Sequence, residues 1–148
     1  YYHTRVGVGG RMDTLQCAIV LAKLERFDGE VQQRSAAGAS YLELVGRIPS
    51  VTPPSLRPDR TSVWAQFTVQ VHDREKVLAR LKEAGVPTAV HYPVPLNQQP
   101  AYQRSCRVAG MLNHSNEVAG RVISLPMHPY ISNESQKHIV NSVAGIEI

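Results

Sequence analysis

Apolar residues recur with a helical period from Thr14 to Arg26, where Leu15, Ala18, Ile19 and Ala22 form one stripe that Leu21 and Leu24 widen. Asp13, with Gln16 three positions later, is a capping-box pattern that starts this helix. Phe27 and Asp28 read as a staple residue and an N-cap for a second helix. Its inner face carries Val31, Ser35, Leu42 and Val45, with Ala39 and Tyr41 beside them and Gly46 as its C-cap. Pro49, Pro53, Pro54 and Pro58 then exclude a helix or a central strand and predict an extended crossing loop over 48–60, with room for a short edge strand. Over 62–72 the period changes to two. Val63, Ala65, Phe67, Val69 and Val71 alternate with Trp64, Gln66, Thr68 and Gln70, the clearest strand in the chain.

Asp73 caps a third helix over 74–84, with Val77, Leu78 and Leu81 inward and Gly85 at its stop. A second strand is predicted over 86–92, ended by Pro93 and Pro95. A short helical turn follows over 96–102, then a loop over 104–113 and a short helix over 116–120 capped by Ser115. A third strand over 122–125 stops at Pro126, and Ser132 opens a last helix that carries Ile139, Val140 and Val143. There is no internal repeat. This order predicts an α+β fold: a small, mainly antiparallel sheet with helices packed on one face. Residues 1–46 form a Gly-rich loop followed by long helices, and residues 47–148 a small α/β domain.

Composition narrows the class. The chain has 148 residues, 43% hydrophobic and 19% charged. That suits one domain with a real core and excludes a disordered tail, a collagen-like chain or a charged rod. No apolar run approaches the roughly 18 residues of a membrane span. The net charge is +4, but the basic residues are scattered. Arg47, Arg57 and Arg60 straddle the Pro-rich loop without interleaved aromatics, so nucleic acid is not the expected partner and acidic small molecules are. Cys17 and Cys106 stand far apart outside any C-x-x-C pair and read as buried, reduced thiols of a cytoplasmic protein. No signal peptide is expected. The chain opens Tyr1-Tyr2-His3 with no initiator Met, so a fragment of a longer protein is expected.

Three segments hold candidate chemistry. Gly7, Gly9 and Gly10 fall within four positions just before the first helix, a pattern that calls for unusual backbone angles or a close approach. Amides at a helix start bind anions, yet neither phosphate-loop signature is present, so a plain turn competes with a phosphate cradle. Arg11 beside it suits a two-pronged grip on a carboxylate or phosphate, with a surface salt bridge as the ordinary alternative. His91-Tyr92-Pro93 sits where a predicted strand gives way to a loop, a place that presents hydrogen-bonding side chains to a ligand; a half-buried structural His–Tyr pair is the alternative. His128, between Pro126 and Pro129, reads as a rigid corner. The remaining histidines have no metal-ligand spacing, and no metal site is expected. There is no G-x-S-x-G elbow. The four lysines, Lys23, Lys76, Lys82 and Lys137, all fall on predicted helices, none placed for a Schiff base.

The strings TRVGVGGRMDTLQCAIVLAKLERFDGEVQQRSAAGASYLELV, SVWAQFTV, the 88–93 segment with Pro95, Leu96 and Gln99 after it, and ISLPMHPYIS agree in order and spacing. From Thr4 to Val143 they resemble the DegT/StrS family of pyridoxal-phosphate-dependent nucleotide-sugar aminotransferases. Within it they most resemble enzymes that aminate a UDP-linked 3-oxo-glucuronic acid derivative for bacterial surface polysaccharide such as lipopolysaccharide O-antigen. The resemblance implies the C-terminal part of a fold-type I aminotransferase, with residues 1–46 linking to a large domain that lies outside this chain. That domain would carry the Schiff-base lysine and most of the pyridoxal 5′-phosphate site. The family's G-x-N-x-R loop places an Asn near the cofactor phosphate of the neighbouring subunit. Gly9 occupies that position here, so the side-chain amide is absent and a backbone amide or a water would have to replace it. The Arg of the loop matches Arg11, expected at the sugar carboxylate, and His91 and Tyr92 match the family's substrate-loop pair, expected at the sugar or its diphosphate. The implied reaction moves an amino group from glutamate to a 3-oxo UDP-sugar acid in a cytoplasmic homodimer. Twelve arginines against four lysines accord with so anionic a substrate. A dehydratase of the same family, with His in place of the upstream lysine, and a non-catalytic sugar-nucleotide-binding or dimerisation module remain the alternatives.

Overall fold

The computed structural model describes residues 1–145, and residues 1–13 precede the first helix as exposed chain. Helix α1 (Thr14–Leu24) starts where the capping box predicts: Asp13 Oδ1 accepts from the Gln16 amide at 2.8 Å. None of its residues is buried. Helix α2 (Phe27–Gly46) follows at once and begins differently from expectation. Arg26 is its N-cap without a side-chain bond, and Asp28 lies inside the first turn, where its charge suits the helix dipole. Its buried face is also rotated. Ala37, Gly38, Tyr41 and Val45 face inward, while Ser35 is exposed and Val31 and Leu42 are half-buried. Small residues at 37 and 38 let the helix approach its neighbours closely, a cue that a count of large apolar positions passes over. Gly46 is the last helical residue, with Arg47 as C-cap.

Strands β1 (Val51–Thr52), β2 (Phe67–Val71) and β3 (Val122–Leu125) form one antiparallel sheet in the order β1-β2-β3. Val51 pairs with Val71, Phe67 with Leu125 and Val69 with Ile123. The pleat therefore gathers Val51, Phe67, Val69, Val71, Ile123 and Leu125 on one face. Helix α3 (Arg74–Glu83), helix α5 (Asn133–Ala144) and α2 cover that face, with Tyr41, Val45, Leu81, Val140 and Val143 almost wholly out of water. Asp73 and Ser132 cap α3 and α5 as their spacing predicts. Arg80 of α3 then donates to the Val143 and Ala144 carbonyls, satisfying the C-terminal end of α5. Helix α4 (Asn113–Ala119) starts three residues earlier than predicted, with Leu112 at the N-cap; Ser115 sits within it and caps nothing.

Two predicted strands are shortened. Residues 62–66 leave the ladder because Trp64 takes a left-handed φ of 48°. Arg34 Nη1 donates to the Trp64 carbonyl at 2.9 Å, and the indole lies over Gly38, so Trp64 is buried while Val63 and Ala65 turn outward. The 86–92 segment makes one isolated bridge, Ala89 to Ser124, in place of a strand. Val86 is spent on the end of α3, its amide donating to the Leu81 carbonyl at 2.8 Å, and Pro87 has no donor to offer a ladder. The 96–102 turn is a short 3-10 helix at Leu96–Gln98.

Candidate functional site

The sheet face away from the helices carries Thr68, Gln70, Val122 and Ser124, and the segment after Ala89 brings His91 against Ser124. The Ala89 bridge, with amide-to-carbonyl distances of 3.2 and 2.8 Å, fixes the chain beside β3. Two residues on, His91 Nδ1 lies 3.3 Å from Ser124 Oγ, which is 2.8 Å from Thr68 Oγ1. The His91–Tyr92 peptide is cis. Tyr92 is exposed, and the ring of Tyr1 meets both partners edge-on, with centroids 5.9 Å from His91 and 5.3 Å from Tyr92. His91 and Ser124 belong to the wall of an open pocket of about 320 Å³ shared with Gln66, Thr88, Pro126 and Met127.

Gln99 ties this corner together. Its side chain is 4% exposed. Its amide nitrogen donates to the Tyr1 and Val94 carbonyls at 2.9 and 3.1 Å, and its oxygen accepts from the His3 amide at 2.8 Å. The Ala101 amide adds a bond to the His3 carbonyl at 3.0 Å. The residues that open the chain are thus held against the loop that carries His91 and Tyr92. Sequence reasoning assigned Gln99 and Tyr1 no role. A glutamine in a proline-bounded loop has no periodicity to distinguish it from Gln98 beside it.

From the other side, Tyr41 of α2 donates its hydroxyl to the Pro126 carbonyl at 2.9 Å, tying the core to the pocket rim. Burial pushes this phenol well above the ordinary tyrosine range.

The structure brings His91 and Tyr92 together and leaves Gly9 and Arg11 apart from them. Gly9 is exposed, and a Cβ there would meet nothing within 4 Å. Gly7, Gly9 and Gly10 take no left-handed φ and have no close neighbour, so neither reason for three glycines operates among the described residues. Arg11 is exposed, and no carboxylate pairs with it among the described residues; the surface salt bridge that was its ordinary alternative is not formed. His128 stands exposed on its proline corner. All four lysines are exposed on α1, α3 and α5. Both cysteines are free, but they are not buried: Cys17 is half-exposed and Cys106 exposed on the 104–112 loop, outside the apolar core. Among the described residues no cluster of three or more metal-ligating side chains occurs, and no helix is long and apolar enough to cross a membrane.

Comparison with known proteins places this geometry in context. The model of the DegT/DnrJ/EryC1/StrS aminotransferase family matches residues 1–144. The chain is 47% identical over 142 residues to the UDP-2-acetamido-2-deoxy-3-oxo-D-glucuronate aminotransferase of Pseudomonas aeruginosa, covering 94% of this chain and 38% of that protein. Its fold matches the crystal structure of a DegT DnrJ EryC1 StrS aminotransferase from Brucella abortus with a TM-score of 0.84 and 33% identity, over 99% of this chain and 39% of that one. It also matches S. venezuelae DesV in complex with a ketimine intermediate, with a TM-score of 0.81 and 31% identity, over 98% and 39% of the two chains. The chain therefore spans about two-fifths of the length of the relatives it matches.

Proposed function

The chain belongs to the DegT/DnrJ/EryC1/StrS aminotransferase family, and from that premise we propose that it forms the substrate-closing part of a pyridoxal-phosphate-dependent aminotransferase. The whole protein would move an amino group from an amino acid, glutamate by expectation, to a 3-oxo UDP-sugar acid. It would work as a cytoplasmic homodimer in the synthesis of a bacterial surface polysaccharide. The observation that carries this reading is the 47% identity to an aminotransferase of a UDP-linked 3-oxo-glucuronate, sustained over 94% of the chain.

Pyridoxal phosphate supplies the electron sink in this class of reaction. The described residues do not make a site for it on their own. The four lysines stand exposed on helices, none of them in the His91 pocket, and Gly9 offers no side chain where the family has an amide. No chemical step is assigned to this chain. Its part is to bind and orient. Arg11, whose charge has no carboxylate partner among the described residues, would take the sugar carboxylate in a bidentate grip. His91 and Tyr92, steadied by Tyr1 and Gln99, would donate hydrogen bonds to the sugar or its diphosphate. Residues 1–46 would link to the remainder of the enzyme, with Gly9 beside the cofactor phosphate through its backbone.

The test is Arg11→Ala in the intact enzyme, titrated with a UDP-sugar acid. Loss of one charge-assisted contact should weaken binding by about tenfold or more, in line with about 1.5–3 kcal/mol for a hydrogen bond to a charged group. The same variant should bind a neutral UDP-sugar as the parent does. Equal affinity of parent and variant for the acid would end the carboxylate assignment.

A further inference from the structure

We propose that the left-handed turn at Trp64 is a positioning device that sends Gln66 onto the wall of the His91 pocket, where its carboxamide contacts a neutral hydroxyl or amide group of the sugar. The inference rests on the reading of that pocket as the place of a sugar nucleotide, and it adds one ligand contact and one positioning residue. Along a regular strand, residues that face the same side are an even number of positions apart. Trp64 and Phe67 are three apart, yet both are buried, and their ring centroids lie 5.3 Å from each other. The φ of 48° at Trp64 takes up the odd residue, as a bulge does. Ala65 and Gln66, which an unbroken alternation points to opposite faces, are both exposed. Both line the pocket of about 320 Å³ that His91 shares. Bulges beside functional pockets re-aim side chains in this way.

A bulky residue seldom takes a left-handed φ and keeps one only where its surroundings over-determine it. Three contacts do so here. The Trp64 carbonyl accepts from Arg34 Nη1 at 2.9 Å, the Trp64 amide donates to Ser62 Oγ at 3.1 Å, and the indole is seated on Gly38. On the other side of Gln66, the Phe67–Leu125 pair begins the ladder. The backbone of Gln66 is thus pinned before and after it, while its carboxamide has no hydrogen-bond partner among the described residues. An unpaired polar group on a fixed backbone is what a ligand contact requires. Its chemistry selects the ligand group. A carboxamide presents a donor and an acceptor side by side. A phosphate or carboxylate can use the donor alone and is repelled by the amide oxygen. A hydroxyl or an N-acyl amide uses both.

The test is calorimetric titration of the intact protein with UDP-N-acetylglucosamine and with UDP. Gln66→Ala, a change at an exposed side chain, should weaken binding of the UDP-sugar about fivefold, the worth of one ordinary hydrogen bond, and leave UDP unchanged. Arg34→Met, which frees the Trp64 carbonyl, should bring a similar loss confined to the UDP-sugar, and Arg34→Lys, which keeps a donor, should restore the affinity. Ser62→Ala, which frees the Trp64 amide, repeats the test from the other side of the turn. The double variant of Arg34→Met and Gln66→Ala should bind no worse than Gln66→Ala alone, because both remove the same contact. Losses that add overturn the positioning role of Trp64. UDP and UDP-sugar weakened alike by Gln66→Ala overturn the sugar contact. The broader reading fails separately. A parent that binds neither compound overturns that reading and the Gln66 contact with it. A parent that binds both, with Gln66→Ala indistinguishable from it, keeps the nucleotide reading and loses Gln66.

Discussion

Tyr41 joins two demands in one side chain. Its ring stacks on Phe67 with centroids 4.9 Å apart in the centre of the core, and its hydroxyl reaches the Pro126 carbonyl at the pocket rim. Tyr41→Phe keeps the ring and strands the carbonyl, so it should cost about 1–3 kcal/mol in urea unfolding. The pH dependence has a definite sign. Burial raises the folded phenol above the ordinary value of about 10, so the folded state holds its proton where the unfolded chain has released it. The stability Tyr41 contributes is therefore fully present below about pH 10 and falls as pH rises further. The gap between parent and Tyr41→Phe should narrow in strongly alkaline buffer, where the variant has no such proton to hold. A gap that widens with pH would contradict the assignment. Gln99 is the second residue of this kind. Gln99→Ala removes three bonds at once, and hydrogen exchange should show faster exchange at the His3 and Ala101 amides, with the Ser124 amide in β3 still protected.

Between elements, the closest approach at a glycine of α2 is Trp64 on Gly38. A Cβ at Gly38 would lie 2.3 Å from the indole Nε1 and 2.4 Å from Cδ1. Alanine improves helix propensity by about 1 kcal/mol, but the indole is pinned by its own backbone bond to Arg34 and has little room to yield. Gly38→Ala should thus be net destabilising by about 1–2 kcal/mol. Trp64 is the single tryptophan, so a shifted emission maximum would report the displaced ring directly. The same contact explains what the sequence hid. The helices over 14–24, 74–83 and 133–144 were legible because caps and apolar period agree at each, and the strand over 122–125 because a short run stops at Pro126. The alternation over 62–72 also looks unbroken, yet its first half is diverted by a glycine and an arginine some 30 positions away. A strand period records what a segment would do alone, and a buried aromatic seated on a distant glycine overrides it. Likewise His91 and Tyr92 were singled out at the end of a predicted strand that shrinks to one bridge, whereas the contacts of Ser124 and Gln99 span long sequence separations that no local pattern carries.

The whole molecule is divided unevenly between a finished core and an unfinished helix. Leu15, Ile19, Leu21 and Leu24 of α1 are 77%, 61%, 67% and 52% exposed, while Tyr41, Phe67, Leu81 and Ile123 are fully buried. An eleven-residue helix in water is marginal by itself, and helices of this length hold through an apolar face packed on something. The relatives supply the context, since this chain covers 38% of the P. aeruginosa enzyme. Under the proposed function the rest of the enzyme packs on α1. The claim separates two measurements of one substitution. Ile19→Asp in the 148-residue chain should change urea unfolding of the core by less than about 0.5 kcal/mol, because the side chain already faces water there. In the intact protein the same change should cost about 2–3 kcal/mol, the transfer value of a buried isoleucine, with more for the stranded charge. Equal losses in both would mean that α1 belongs to this core after all. Equal indifference would mean that its apolar face meets water in the whole enzyme too. Only the split result fits a chain whose site is closed by residues lying outside it, because Arg11 and Gly9, immediately before α1, would be carried to their ligands by whatever α1 docks against.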